Sequence, residues 1–375
     1  MSQPQSPIQT SGQTGVTAGW TEPPAPPPRT SMSERSKATI IWAIVGTMLI
    51  AAAFAAIGAL NRDVYGAGAF VGNYLGKLQA KDAVGALAIP GVSLEKSELK
   101  GAGLPEGSSN ALLRSAVLPE LTEVTQVEDA DEGNGVHAVT YSYESGGTFG
   151  ESTFLVKNTG ARFPLIPTWS FEESPLAVVN LSVEHSTAFS TNGFDLDTRA
   201  VSTEQTQSFD NIVNVQVFTP GTYVFESTSE LLESEKESVL VDQPTRVHEA
   251  VVTAVPTEEF VAAAQKTVNA KLDACAEEKV LQPTGCPFGI VIDDRISGDP
   301  AWSMDEYPEV AIEAGTESWV IPSASGTAHL NVDVQSLFDG SITTYDDDVP
   351  FSVVGSVYVM SDGSVEATLE EDPNA

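Results

Sequence analysis

One uncharged apolar stretch, Ala38 to Leu60, constrains this chain more than any other feature of its sequence. At a helical rise of about 1.5 Å per residue it extends about 35 Å, enough to cross the roughly 30 Å hydrocarbon core of a bilayer. A cleaved signal peptide is the alternative, but its apolar region is shorter and does not usually follow a long polar tail. The sequence therefore predicts an uncleaved transmembrane helix over residues 38–60.

The basic residues around this stretch indicate its orientation. Arg29, Arg35 and Lys37 precede it closely, whereas Arg62 follows it together with Asp63. An excess of Lys and Arg marks the cytoplasmic side of a membrane span. We therefore expect a single-pass cell-membrane protein with a cytoplasmic N-terminus and an extracytoplasmic ectodomain, residues 61–375.

The ectodomain is strongly acidic. Residues 1–60 hold three basic and two acidic side chains, so residues 61–375 carry a formal charge of −35 within the total of −34. Such a charge argues against nucleic-acid binding, which requires clustered Lys and Arg, and against docking on anionic lipid. A highly soluble surface is the simplest interpretation, and capture of cations or of a basic partner is the alternative.

Two features belong to the membrane-proximal end. Residues 1–37 are rich in Pro, Ser, Thr and Gln, which predicts a disordered, Pro-rich cytoplasmic tail; a docking site for a proline-reading module is the alternative. Within the span, Ala51, Ala55 and Ala59 recur every four residues. Such a row lets helices approach closely, so self-association through the span is a second expectation.

Residues 64–174 change from a helical period to a strand period. Phe70, Val71, Tyr74, Leu75 and Leu78 share one helical face, Asp82 can cap a short helix through Leu87, and Ser108–Val117 predicts a further helix. Strands are then expected at Leu121–Val127, Val136–Tyr143, Ser152–Val156 and Thr168–Phe171. This order predicts an α+β domain with helices on one side of an antiparallel meander.

The segment FVGNYLGKLQAKDAVGAL, followed by a loop, a short helix and strands, resembles the NTF2-like (cystatin-like cone) fold. Membrane-anchored members of that superfamily occur in Gram-positive bacterial envelopes. Enzymatic relatives hold an acid–base Asp, Tyr or His inside the cone, and no residue here can be matched to that position.

Residues 175–245 predict a small all-β module. Val179, Leu181 and Val183 alternate with polar residues, and PGTY at Pro220–Tyr223 predicts a tight turn with Gly221 at positive φ. An anchor, an NTF2-like module and a β module with such a turn together resemble envelope proteins of the teicoplanin-resistance-associated type. The N-terminal zinc ribbon of many such proteins has no counterpart here, because residues 1–37 contain no Cys.

Residues 246–375 predict a second α+β domain, compatible with another NTF2-like fold, that ends in an acidic tail. Arg246–Val255 is an expected strand, and Val261, Ala264, Val268, Leu272 and Cys275 form the apolar stripe of an expected helix. Further strands are expected at Trp302–Met304, Glu317–Ile321, Ala328–Val334, Phe351–Met360 and Val365–Leu369.

Cys275 and Cys286 are the two cysteines of the chain, eleven residues apart on the oxidising side. They predict one disulfide that closes a small loop. A zinc site would need further ligands, and the nearest histidines in sequence are His248 and His329.

Sequence motifs predict no catalytic, cofactor or metal residues. His137, His185, His248 and His329 are far apart, and no HExxH, GxSxG or SxxK occurs. Asp195 with Asp197, Asp293 with Asp294, and Asp346 to Asp348 could supply oxygen ligands to calcium, but solvated turns are the simpler interpretation. Five aromatics could line a cone pocket or belong to the core: Tyr141, Tyr143, Trp169, Trp302 and Trp319.

The sequence thus favours a non-enzymatic cell-envelope protein whose acidic ectodomain binds or scaffolds a wall or membrane partner. The alternatives are an extracytoplasmic sensor or modulator that binds a small ligand in an NTF2-like pocket and, third, a hydrolase. The short linker Asn61–Gly66 suggests that the domain at 64–174 is membrane-proximal, and that the domain at 246–375 contacts the partner.

Overall fold

A computed structural model describes residues 34–162, 166–202, 209–360 and 363–373 of the chain. The chain divides into two units after Gly58, and each is described separately. Of the disordered tail predicted over residues 1–37, residues 1–33 lie outside the described residues, whereas residues 34–37 are helical. Within the described part the protein is a strand-rich α+β structure with one long apolar helix near the N-terminus, which confirms the predicted fold class at that level.

Helix α1, Glu34–Asp63, contains the apolar stretch. Its segment Lys37–Ala55 has a mean hydropathy of 2.2, and none of that segment is buried. The hydroxyls of Thr39 and Thr47 donate to the carbonyls of Arg35 and Ala43, four residues earlier, so these polar groups are satisfied inside the helix. By length and composition α1 is able to cross a membrane; because it continues to Asp63, half of the expected linker is helical.

Three further helices follow: α2 (Ala67–Gln79), α3 (Ala83–Leu87) and α4 (Lys96–Leu99). Helix α2 buries Val71, Tyr74, Leu75 and Leu78 on the predicted face. Asp82 caps α3 as predicted, because its Oδ1 accepts from the Gly85 amide at 2.8 Å.

The helix expected at Ser108–Val117 is wrong, because these residues form turns and extended chain. The Ser109 amide donates to the Asn214 carbonyl at 2.8 Å, and the Ser109 carbonyl accepts from the Gln216 amide at 2.8 Å. These bonds form a parallel bridge between Ser109 and Val215. The backbone at Ser109 thus pairs with a strand distant in sequence, and short turns that end at Leu113 and Val117 take the place of the helix.

The first sheet is the predicted four-stranded antiparallel meander, in the order β1-β2-β3-β4. Its strands are β1 (Thr122–Gly133), β2 (Val136–Ser145), β3 (Thr148–Arg162) and β4 (Ile166–Phe171). Val139, Tyr141 and Tyr143 alternate with less buried residues and pack, together with Phe154 and Phe171, into the core that α2 covers.

The middle part of the second unit contains three small sheets. Their orders are β12-β5-β8, β11-β9-β6-β7 and β10-β13. The elements are β5 (Leu176–Glu184), β6 (Ala188–Thr191), β7 (Phe194–Asp197), α5 (Thr198–Val201), β8 (Asn211–Phe218), β9 (Gly221–Glu226), β10 (Leu232–Glu233), β11 (Glu237–Val241), β12 (Val247–Thr253) and β13 (Val255–Pro256). Strand β12 pairs in parallel with β5, so a strand beyond residue 245 completes this part of the fold.

The turn at Pro220–Tyr223 differs from the sequence expectation. Strand β9 already begins at Gly221, and Thr219 with Pro220, joined by a cis peptide bond, connects it to β8. Gly221 does not have the positive φ that was expected. Its lack of a side chain matters for another reason, because a Cβ there would lie 2.1 Å from Pro119 Cγ.

The last part of the chain packs one long helix against a six-stranded antiparallel sheet. Helix α6, Glu258–Ala276, begins at the Thr257 cap and buries Phe260, Ala264, Val268 and Leu272. The strands are β14 (Arg295–Ile296), β15 (Ala301–Glu306), β16 (Glu313–Ala314), β17 (Trp319–Gln335), β18 (Ile342–Val359) and β19 (Val365–Glu371). The order is β14-β17-β18-β19, and β15 and β16 also pair with β17.

The expected strands at Glu317–Ile321 and Ala328–Val334 are one continuous strand. Strand β18 offers partners along nearly the whole of β17, and a register shift between Ile321 and Ala324 accommodates Pro322. Such an irregularity tolerates the missing proline donor. The cores of the second unit are contiguous in places; for example, Leu176 and Phe218 belong to the core covered by α2. The predicted boundaries at residues 174 and 245 remain predictions.

Candidate functional site

The most exposed large apolar side chain among the described residues is Phe338, which lies in the turn between β17 and β18. Phe338 is 98% exposed and Leu337 72%, and Ile342, the first residue of β18, is 58% exposed. We call these three residues the apolar turn. Exposed Val84, Phe149 and Ile212 elsewhere are isolated in sequence, as is ordinary for protein surfaces. Leu337 and Phe338 instead form a contiguous exposed apolar surface, the kind of surface that marks interaction sites.

Hydrogen bonds within the turn fix its backbone. The Ser336 amide donates to the Ser341 carbonyl at 2.8 Å, and the Gly340 amide donates to the Ser336 carbonyl at 3.0 Å. Asp339 Oδ1 accepts from both the amide and the hydroxyl of Ser341, which lowers the pKa of Asp339. Gly340 takes the positive φ of 76° that closes the turn. The exposed side chains of Leu337 and Phe338 thus extend from a backbone that is held by hydrogen bonds.

The preceding loop is tied to the turn. Asp294 Oδ1 accepts from the Leu337 amide at 3.0 Å, so this carboxylate supports the backbone. Asp293 and Val291, both exposed, lie in the same loop, and Arg295 pairs with Gln335 in the sheet. The sequence predicted that Asp293 and Asp294 lie in a solvated turn or supply oxygen ligands to calcium. In the structure, Asp294 positions the apolar turn.

Asp346 to Asp348 do not form the expected turn, because they lie inside strand β18 opposite β17. His329 Nδ1 lies 2.7 Å from Asp348 Oδ1, and Nε2 lies 3.0 Å from Asp346 Oδ1. The hydrogen bond to Asp348, followed by that to Asp346, raises the pKa of His329. The pKa of Asp346 is lowered, chiefly by Asn331 and then by His329.

The three other histidines occupy separate places. His137 Nδ1 lies 2.6 Å from Asp129 Oδ1, with its ring edge-on to Trp169. His185 packs against Phe209 and Trp319. Desolvation by burial lowers the pKa of His248. The described structure brings no two of these rings together.

The other acidic candidates also have structural roles. Asp197 caps α5 and forms an ion pair with Arg199 at 2.6 Å, and the Arg199 hydrogen bond lowers its pKa. Asp195 is an exposed residue of β7. Among the described residues, no group of three or more His, Cys, Asp or Glu is arranged to hold a metal ion.

An open cleft of about 650 Å³ lies between the first sheet and the β module. Lys81, Glu120 and Glu144 contribute its charges, and Gly146, Gly147 and Asn192 contribute to its wall. Lys81 has a φ of 55°, the left-handed conformation, and its Nζ donates to the Leu118 carbonyl. Desolvation lowers the pKa of Lys81, and the charge of Glu120 opposes that shift.

The aromatic residues considered as pocket residues are mostly core. Tyr141, Tyr143, Trp302 and Trp319 are buried, and Trp169 is half-buried. Tyr141 Oη donates to the Gly68 carbonyl at 2.9 Å, and Trp302 Nε1 donates to the Val280 carbonyl at 2.7 Å. These polar atoms fasten helices and loops to the sheets.

The sulfur atoms of Cys275 and Cys286 lie 1.93 Å apart, at disulfide-bonding distance. The closed loop joins the end of α6 to Phe288, whose ring packs on Trp302 and Phe351. The two cysteines therefore connect the end of α6 to the core, and the sequence predicted their pairing.

Sequence reasoning missed the apolar turn. The sequence pattern that could have indicated this turn is Ser336-Leu-Phe-Asp-Gly-Ser. In this pattern Asp-Gly is typical of a hairpin turn, and two apolar residues precede it. A buried turn residue and an exposed one look alike in sequence.

No family model matches the chain, and no curated protein matches it. The chain is similar to one solved structure, an "Ntf2 like protein involved in plasmid conjugation". The identity is 8%, the match covers 80% of this chain and 96% of that chain, and the TM-score is 0.13. A TM-score of that size carries no argument about fold or function.

Proposed function

We propose that this chain is a non-enzymatic, single-pass cell-envelope protein whose acidic ectodomain binds or scaffolds a wall or membrane partner. The observation that carries the proposal is the apolar turn, where Phe338 is 98% exposed beside Leu337. Exposing two large apolar side chains to water is unfavourable, and covering them with a partner removes that cost. The partner contact is accordingly assigned to residues 246–375.

Helix α1 is the proposed membrane anchor. The basic residues Arg29, Arg35 and Lys37 favour a cytoplasmic N-terminus, and residues 61–375 are then extracytoplasmic. Protease added to intact protoplasts should digest the ectodomain and spare an N-terminal epitope. A protected C-terminus would reverse the proposed orientation.

The finer fold proposal is that residues 64–174 are NTF2-like and that residues 246–375 form a second domain of related layout. The packing of α2 against the meander β1–β4 supports the first assignment, and α6 against a six-stranded sheet supports the second. In both segments a helix precedes the strands, which is the order on which the resemblance to membrane-anchored NTF2-like envelope proteins is based.

The experiment that tests the proposed function compares the full chain with a chain truncated after Ala254. This cut keeps β12, which pairs with β5, and removes α6, the six-stranded sheet and β13, the partner of β10. Both forms should insert into the membrane, and a partner that crosslinks to the full chain in native membranes should be lost from the truncated one. Equal capture by both forms would refute the assignment.

The cleft beside Lys81 favours a second candidate function, a sensor for a small ligand. Lys81, Glu120 and Glu144 all line this cleft, and one cation with two carboxylates suits a zwitterion such as a free amino acid. Calorimetric titration with free amino acids, compared between the parent and Lys81→Met, tests this candidate. Absence of binding to the parent would remove it.

A further inference from the structure

We infer that the partner presents an apolar pocket rimmed by Lys or Arg, and that Phe338 enters that pocket with Leu337 packed beside it. This inference rests on the proposed function and adds the chemistry of the partner's surface. Three properties of the apolar turn support it: exposure, rigidity and surrounding charge.

The exposure makes Phe338 suitable as the central contact. Its ring projects from the turn with 98% of its surface accessible, and Leu337 is 72% exposed next to it. Large side chains that enter a pocket dominate binding free energies at protein interfaces. Ile342, at the start of β18, extends the apolar surface onto the sheet.

The rigidity lowers the entropic cost of binding. The turn is closed by the bond between the Ser336 amide and the Ser341 carbonyl, by the two bonds that Asp339 accepts from Ser341, and by the bond from Leu337 to Asp294. A loop that is already ordered loses less conformational freedom when it binds. An ordered turn of this kind therefore fits a partner with a pocket of defined shape better than it fits a deformable surface.

The surrounding charge selects the kind of pocket. Asp293, Asp294 and Asp339 lie in the turn or in the loop tied to it, and Arg295, the first residue of β14, is the adjacent basic residue. The chain as a whole carries −34. Anionic lipid and a second copy of this acidic chain would both be repelled, whereas a basic rim would be attracted.

The test places a photoreactive residue in the full-length chain in its native membrane, as Phe338→p-benzoylphenylalanine. The matched control is Phe149→p-benzoylphenylalanine, because Phe149 is also exposed, at 69%, but lies in the first sheet. We expect an adduct at position 338 with one protein, in which the crosslinked peptide maps to an apolar pocket bordered by Lys or Arg.

A charge variant tests the rim. Asp293→Lys should lower the adduct yield by about fivefold or more, and Asp195→Lys, the same charge change on β7, should leave it unchanged. Added salt should lower the yield of the parent, since exposed charges are screened.

The following outcomes overturn the inference: no adduct above the Phe149 control, an adduct with phospholipid, an adduct with a second copy, or a mapped surface without basic residues. Equal effects of Asp293→Lys and Asp195→Lys on the adduct yield would refute the proposed basic rim of the partner's pocket. If the chain truncated after Ala254 loses its partner while position 338 forms no adduct, the inference fails and the proposed function stands.

Discussion

His329 illustrates how a single residue can respond to pH on the surface of the sheet. Both ring nitrogens face carboxylate oxygens, Asp348 on one side and Asp346 on the other. Because both nitrogens can donate only when the ring is protonated, this geometry favours the charged imidazolium. Nearby on the same two strands, Asp333 accepts from Thr344, and Asp347 pairs in register with Leu330, the residue after His329.

We predict that Asp348→Asn lowers the pKa of His329 toward its ordinary value. The folded pKa is raised, so the contribution of His329 to stability is present below the unfolded pKa and is lost as pH rises through the folded pKa. NMR titration of the His329 ring measures the shift directly. The control Asp347→Asn removes a neighbouring carboxylate that makes no hydrogen bond with His329, and an equal shift in both variants would contradict the assignment.

A second residue-scale prediction concerns Gly221, where a Cβ would meet Pro119 at 2.1 Å. Gly221→Ala should lower the free energy of unfolding by about 1–3 kcal/mol, because the pyrrolidine ring or the strand must move. Gly76→Ala is the matched control: its Cβ would meet nothing within 4 Å, and alanine should stabilise helix α2 by about 0.5–1 kcal/mol. Urea unfolding that ranks the two variants in the opposite order would refute this account.

At the scale of elements, the Cys275–Cys286 loop connects the end of α6 to the core. Trp302 Nε1 donates to Val280 inside the loop, and Phe288 packs just beyond it. We predict that mass spectrometry of unreduced protein finds the two cysteines linked. The variant Cys275→Ser with Cys286→Ser should lose about 3 kcal/mol of unfolding free energy, from loop-closure entropy. Two free thiols in envelope-isolated protein would contradict the prediction.

The elements that sequence predicted well are those decided locally. The apolar face of α2, the Asp82 cap and the meander β1–β4 follow from side-chain period and turn residues, and the structure contains them. Ser108–Val117 was predicted wrongly because Ser109 pairs with β8, about a hundred residues away. Local patterns cannot register such a competing partner.

The same distinction applies to the candidate sites. The cysteine pair was recognisable from two lone residues at short spacing. The contacts of His329 with Asp346 and Asp348, by contrast, depend on the register of β17 against β18. Asp346 to Asp348 look like a turn in isolation, and only the opposing strand shows why they are extended. The apolar turn escaped notice because exposure is a property of the fold and not of the residues.

For the whole molecule, we propose a membrane anchor joined to an acidic ectodomain that carries the exposed apolar turn. The anchor rests on the length and composition of α1, and the contact site rests on Leu337 and Phe338. In this proposal, the charge of −34 keeps most of the surface soluble, and the carboxylates at the turn favour a partner with a basic rim.

The most direct test of the central claim is quantitative partner capture from native membranes by the full chain carrying Leu337→Ser and Phe338→Ser. Both side chains are exposed, so the fold and membrane insertion should be unchanged, with Phe149→Ser as the matched control. We predict that the double variant loses about tenfold or more of the captured partner, as expected when a central apolar contact is removed, while the control retains it. Capture by the double variant equal to that of the control would contradict the account.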